Sequence, residues 1–246
     1  MIVCIPSKNR PNTKTYKLFS DPRFQVFHFV EPQDLMKYKE IPNLVNIEKN
    51  DGGITYVRNF ILDWAKSNKI DKIIVCDDDV IDFVVVQNKR CVKQNSANIW
   101  FEIDKKTSHL PFEIIGMNYT QYAWAQTKEF CINTQTCEVC VLLRVDKINW
   151  KYRCGLELKE DRDFALQTLK YGHGILKFHK YGFDCPSIGT NEGGLYDEYK
   201  AGKDTKSSMR MAEEWKPFVE LVKKENRLDI KLNMKEMAKH YGKITK

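Results

Sequence analysis

The sequence of 246 residues has no apolar run near the roughly 20 residues that a membrane helix needs. Its start, Met1 running straight into Ile-Val-Cys-Ile, lacks the basic-then-apolar layout of a secretory signal. A soluble, cytoplasmic protein is therefore expected. Metal and disulfide scaffolds are disfavoured as well. Cys137 and Cys140 form a CxxC pair, but no second Cys or His pair follows at zinc spacing. Cys4, Cys76 and Cys140 fall inside apolar runs, where a reduced thiol behaves as a small hydrophobe. Internal repeats and an interdomain linker are lacking too, and with 42% hydrophobic residues the chain can bury one sizeable core. One domain over residues 1–246 is the expectation.

What is present is an uneven charge. The net charge is +7, and between Lys203 and Lys246 there are 12 Lys/Arg against 7 Asp/Glu, so most of the excess lies at the C-terminus. Such a stretch attracts polyanions by counterion release, but a solvated Lys-rich helix face has the same composition.

Apolar runs at Ile2–Ile5, Gln25–Val30, Leu44–Ile47 and Lys72–Cys76 read as strands, punctuated by Pro6, Pro32 and the turn signal Asn50-Asp51-Gly52-Gly53. Between the third and fourth, Ile54, Val57, Ile61, Trp64 and Ala65 recur at helical spacing. This alternation predicts an α/β fold with a mostly parallel central sheet flanked by helices. Asp82–Gln87, Cys137–Val145 and Ile175–Phe178 read as further strands. A helix runs from Glu160 to Gly172, a loop from Ser187 to Asp204, and an amphipathic helix over Met211–Lys224. Ser96–Asp104 and Tyr119–Trp124 are ambiguous.

Asp77-Asp78-Asp79 leaves the buried Lys72–Cys76 strand at its carboxyl end, where open α/β sheets bind ligands. Three adjacent carboxylates repel one another and are costly to hold without a cation. In extended backbone Asp77 and Asp79 face one side, so they can share one hard cation with substrate phosphates; a solvated acidic turn is the plain alternative. Arg58 lies on the inward stripe Ile54, Arg58, Ile61 and Ala65. A core-facing guanidinium requires an anion, either the triplet, a bound diphosphate or a structural carboxylate. Ser7, Lys8, Asn9 and Arg10, in the loop after the first strand, offer donors at the same edge.

Together these segments resemble GT-A glycosyltransferases: a first strand ending Ile-Pro-Ser-Lys-Asn-Arg, the helix start Gly53-Ile54-Thr55-Tyr56-Val57-Arg58-Asn59, and a DxD-like motif in Ile-Ile-Val-Cys-Asp-Asp-Asp-Val. The resemblance covers roughly residues 1–85. It implies residues 1–90 as a nucleotide-sugar half, 91–200 as an acceptor half and 201–246 as a basic helical segment. Ser7, Lys8, Arg10, Arg58, Asp77 and Asp78 would bind a UDP-sugar, while Asp77, Asp79 and His179 would hold Mn2+ or Mg2+. In the cluster Glu157, Glu160-Asp161-Arg162-Asp163, the resemblance makes Asp161 the candidate catalytic base, with Glu160 second. Helix capping and the helix dipole explain the same acids equally well, and a packed His179 is the ordinary alternative to a ligand.

Within the superfamily, Ser-Lys-Asn-Arg-Pro with Thr13 or Thr15, Tyr-Val-Arg-Asn-Phe-Ile-Leu, Asp-Asp-Asp-Val and the loop Gly189–Leu195 are similar to bacteriophage TET-associated DNA-modifying glycosyltransferases. That likeness implies 5-hydroxymethylcytosine, or a related base in double-stranded DNA, as acceptor. Arg210, Lys216, Lys223, Lys224, Arg227 and Lys231 would then hold phosphates, and Tyr122, Trp124, Tyr196 or Tyr199 would stack on an extruded base. Neither a membrane nor an obligate protein partner is implied. The alternatives are a glycosyltransferase with a polysaccharide or lipid acceptor, a metal-dependent nucleotidyltransferase and a non-catalytic DNA-binding module.

Overall fold

The computed structural model describes residues 1–13, 15–134, 139–186, 195–224 and 227–241, with the backbone alone at 196 and 197. Cys137 and the 187–194 part of the expected loop lie outside the described residues. The elements run β1 (Ile2–Ser7), α1 (Thr15–Leu18), β2 (Gln25–Val30), a 3-10 helix (Pro32–Tyr38), β3 (Leu44–Asn46), α2 (Gly53–Ser67), β4 (Lys72–Cys76), β5 (Asp82–Gln87) and β6 (Arg90–Lys93). They continue with α3 (Ile99–Thr107), β7 (Ile114–Tyr119), α4 (Thr120–Ala123), β8 (Phe130–Ile132), β9 (Cys140–Arg144), α5 (Glu160–Lys170) and β10 (Ile175–Asp184). Then follow α6 (Tyr196–Lys200), α7 (Lys203–Glu214), β11 (Val219–Lys224), β12 (Arg227–Leu232) and α8 (Met234–Tyr241).

Ten strands form one sheet in the order β3-β2-β1-β4-β9-β7-β10-β5-β6, with β8 on β10. Strands β3, β2, β1 and β4 are mutually parallel, as are β7 and β10, while β9 runs antiparallel between the two groups. The mostly parallel sheet expected from the alternating pattern is present. Side chains alternate across it, as the two-residue period of a strand requires. On β4, Ile73 and Val75 enter one apolar cluster with α2, α5, α7 and α8, whereas Ile74 and Cys76 enter a second with α1 and α3. Helices therefore cover both faces, and the continuous Ile-Ile-Val-Cys run is the composition of a doubly buried strand. Among the described residues no helix is long and apolar enough to cross a membrane.

Three sequence readings change. The strand begun at Ile175 continues to Asp184, because Tyr181–Asp184 also pairs with β5. The expected loop before Asp204 contains α6 and the start of α7. The amphipathic helix expected over Met211–Lys224 ends at Glu214, and the following residues form a β11–β12 hairpin. Pro217 cannot continue a helix in its interior, and Val219, Leu221 and Val222 suit a strand. The basic C-terminal segment is thus mixed, not helical throughout. The ambiguous stretches resolve as α3 and as the end of β7 with α4.

The C-terminal segment is fastened to α5 through Asp163, which is fully buried. Its carboxylate accepts from Trp215 Nε1 at 2.7 Å, Gln167 Nε2 at 2.8 Å and Arg153 Nε at 2.8 Å. Asp163→Ala leaves these donors without their acceptor and should cost about 3–5 kcal/mol in urea unfolding. A loss below about 1 kcal/mol would show that the segment is docked by apolar packing alone.

Candidate active site

The carboxyl ends of β1, β4 and β7 open on a cleft of about 760 Å³. The parity of β4 carries into the triplet. Asp78, in step with Ile74 and Cys76, is buried, while Asp77 and Asp79 keep side-chain exposures of 30% and 27% and both line the cleft. The two outer carboxylates are the ones open to a ligand. Asp78 also borders the cleft, but its carboxylate is engaged by the protein: Ser7 donates its hydroxyl to Asp78 Oδ2, and Arg10 Nη1 lies 3.0 Å from Oδ1. Thr15 Oγ1 donates to the Asp78 and Val80 carbonyls at 2.7 and 2.9 Å, which pins the turn. Arg10 also reaches Asp79 Oδ2 at 3.3 Å.

Arg58 is 5% exposed on the inward stripe of α2. Its Nη2 lies 3.5 Å from Asp77 Oδ1 and its Nε 3.5 Å from Glu160 Oε1. One guanidinium therefore spans the triplet and the acidic start of α5, which are 83 positions apart in sequence (Asp77 to Glu160). Burial raises Asp77 to about 7 against the opposing pull of Arg58, with Asp79 and Asp78 adding to the rise. Burial also raises Asp78 to about 6 despite the Ser7 hydrogen bond and Arg10. The cluster holds more carboxylate than its arginines neutralise, and a cation would relieve this.

At the start of α5, Glu160 is 3% exposed, with Oε2 buried and unbonded. Burial and the adjacent Asp161 push its carboxyl well above the ordinary glutamate value. Asp161 is more open and also lines the cleft. Asp163, two residues on, is spent on the C-terminal dock.

Other sequence candidates are sorted by their contacts. Lys8 Nζ is held by Asp51 at 2.6 Å and Glu31 at 3.3 Å. Ser7 Oγ and Arg10 N both bond Tyr38 Oη, at 2.7 Å each, so Ser7 orders the loop that presents Lys8 and Arg10. His179 lines the same cleft with Nδ1 against the Asn118 amide. Among the described residues no three His, Cys, Asp or Glu side chains are gathered as a ready metal cage. Asp77 and Asp79 fit a hard cation that takes its remaining ligands from phosphate and water. Of the aromatics, Tyr122 lines the cleft mouth and is 56% exposed; Tyr199 lines it too, and Trp124 is 53% exposed outside it. The Tyr196 side chain lies outside the described residues.

Sequence reasoning missed Glu31, Tyr38, Asn118 and Asp229. Glu31 was findable, since it closes β2 at the ligand-binding edge just before Pro32. Asp229 was not, because only the hairpin brings it to α5.

A mostly parallel sheet with a cleft at the carboxyl ends of its strands is the α/β fold expected above for a GT-A-type glycosyltransferase. The sequence signature of the TET-associated glycosyltransferases matches residues 1–194, and the chain belongs to that family. Glucosyl-3-phosphoglycerate synthase from Mycobacterium tuberculosis, solved with Mg2+ and uridine diphosphate, superposes with TM-score 0.55 at 9% identity, covering 96% of this chain and 91% of that one. A second structure of that enzyme, with Mn2+, uridine diphosphate and phosphoglyceric acid, gives TM-score 0.53 at 9% identity over 96% and 90%. No curated protein matches the chain.

Arg58→Met removes the buried cation between Asp77 and the buried Glu160 and should destabilise the protein by about 3–5 kcal/mol in urea. Adding Glu160→Gln should recover part of that loss. No recovery in the double variant would place the cost elsewhere.

Proposed function

We propose that this glycosyltransferase moves a sugar from a UDP-sugar, with Mn2+ or Mg2+, to the hydroxymethyl group of 5-hydroxymethylcytosine or a related base in phage DNA. The observation that carries the reading is Arg58 linking Asp77 to Glu160, which brings the acidic triplet and the acidic start of α5 into one cleft. The family and the uridine diphosphate complexes of the M. tuberculosis enzyme support the donor class. The DNA acceptor rests on the motif likeness of the N-terminal half.

In this reading Lys8 and Arg10 hold the donor, ordered from below by Ser7 and Tyr38. Asp77 and Asp79 are the ligands for the cation, with His179 as the candidate third. A cation held there supplies Lewis-acid stabilisation to the departing diphosphate. The acceptor hydroxyl oxygen attacks the anomeric carbon, the bond to the diphosphate oxygen breaks, and Asp161 takes the hydroxyl proton. Asp161 suits the base role better than Glu160: it is the more open, whereas Glu160 is buried against Arg58 and biased toward its protonated form. An extruded base would meet Tyr122, with Gln121 and Gln126 beside it at the mouth.

Incubation with Mn2+, a panel of UDP-sugars and hydroxymethylated duplex DNA, followed by nucleoside mass spectrometry, should show one sugar added per modified base. Transfer to a glycan or lipid acceptor with no mass gain in DNA would reject the acceptor. Asp79→Ala should abolish even slow hydrolysis of the donor, and unchanged hydrolysis would overturn the metal assignment.

A further inference from the structure

The family signature ends at residue 194, yet the cleft does not. Lys224, the last residue of β11, and Arg227, the first of β12 and its partner in the pairing, line the cleft wall beside Lys159 and Arg162 from the start of α5. All four basic groups converge on two buried acids. Lys159 Nζ lies 2.6 Å from Asp204 Oδ1 and 3.1 Å from Asp229 Oδ1, and Arg162 Nη1 lies 3.2 Å from Asp229 Oδ1. Lys224 Nζ is 2.8 Å from Asp229 Oδ2, while Arg227 stands off at 3.5 Å from Asp204 and 3.8 Å from Asp229. Glu198 lines the same wall and pairs with Lys203 at 3.7 Å.

Four cations on two carboxylates leave a positive surplus, and the burial pattern puts that surplus at the cleft. Lys159 and Asp229 are 3% and 1% exposed, so they form the floor. Lys224 and Arg227 keep side-chain exposures of 56% and 45%. At its longer distances Arg227 leaves much of its five-donor fork for another acceptor, and a forked guanidinium beside an ammonium suits a phosphate. Burial raises the Asp229 carboxyl, but Lys224, Lys159 and Arg162 hold it below the usual range, as a positive surround would. The other basic residues of this segment are placed differently. Arg210 is spent on Glu214 and the Cys154 carbonyl, and Lys231 lies 3.9 Å from Glu220.

Contacts run from the triplet through Arg58 to Glu160, and from the adjoining residues Lys159 and Arg162 to Asp229. The cationic wall thus lies beyond the acid pair, on the acceptor side. We propose that Lys224 and Arg227, backed by Arg162, form a subsite for a phosphodiester of the acceptor strand and so contribute to acceptor selection. This rests on the DNA reading given above.

The test measures binding of an unmodified duplex oligonucleotide to the full chain across a salt series, together with UDP affinity and transfer kinetics. Lys224→Gln/Arg227→Gln should weaken oligonucleotide binding at least tenfold at low salt. It should also lower the slope of log K against log salt by about 1, for the one phosphate no longer neutralised. UDP affinity should stay within twofold, and the effect on transfer should appear in KM for DNA more than in kcat. Lys216→Gln/Lys223→Gln, which changes two exposed lysines that do not line the cleft, should leave binding within twofold. Equal losses in both double variants, or a parallel loss of UDP affinity, would overturn the subsite. If the salt-sensitive binding is lost as expected but wild-type protein transfers no sugar to hydroxymethylated DNA, the subsite stands and the acceptor assignment falls.

Discussion

The structure depends on one buried guanidinium. Arg58 is placed in the core by the helical spacing of α2, and a charge there must be met by opposite charge. It is met from two sides, by Asp77 at the end of β4 and by Glu160 at the start of α5. Neither acid can be removed from water cheaply, and neither is fully neutralised by the shared arginine. The result is a cleft with a fixed excess of negative charge at one end, in the place where an α/β sheet admits ligands. In the proposed function a cation would relieve the repulsion, and a diphosphate would complete its coordination.

The β4 parity extends this constraint outward. Because strand side chains alternate, the triplet is divided into one structural carboxylate and two that face the ligand. Asp78 fixes Ser7 and Arg10, which shapes the loop after β1, and Thr15 holds the turn from below. Asp77 and Asp79 stay open to the cleft. The α5 start shows the same division of labour: Glu160 faces Arg58, Asp161 faces the cleft and Asp163 faces the core, where it receives Trp215.

The triplet side of the cleft was legible in the sequence because its signals are local. A strand run, an acidic triplet and a helical stripe each fall within about twenty residues, and the parity of Asp77 and Asp79 follows from extended backbone alone. The hairpin side was not legible, because long-range pairing builds it. The hairpin after Pro217 read as helix, since Lys and Glu at mixed spacing suit either state, and pairing with Arg227–Leu232 decided the outcome. The basic C-terminus read either as a phosphate-binding surface or as a solvated Lys-rich face. In the fold Arg210 and Lys231 pair with Glu214 and Glu220, while Lys224 and Arg227 gather at the cleft through Asp204 and Asp229. Composition gave the amount of charge, and only the fold gave its direction.

The central claim is that Asp77 and Asp79 hold a divalent cation against a nucleoside diphosphate in the Arg58 cleft. A crystal structure of the chain grown with UDP and Mn2+, recorded at a wavelength that reveals manganese by anomalous scattering, tests it most directly. The account predicts one anomalous peak, ligated by Asp79 alone or with Asp77, and by the diphosphate oxygens. A diphosphate bound in the cleft with no such peak beside the triplet, or a manganese ion bound elsewhere, would contradict it.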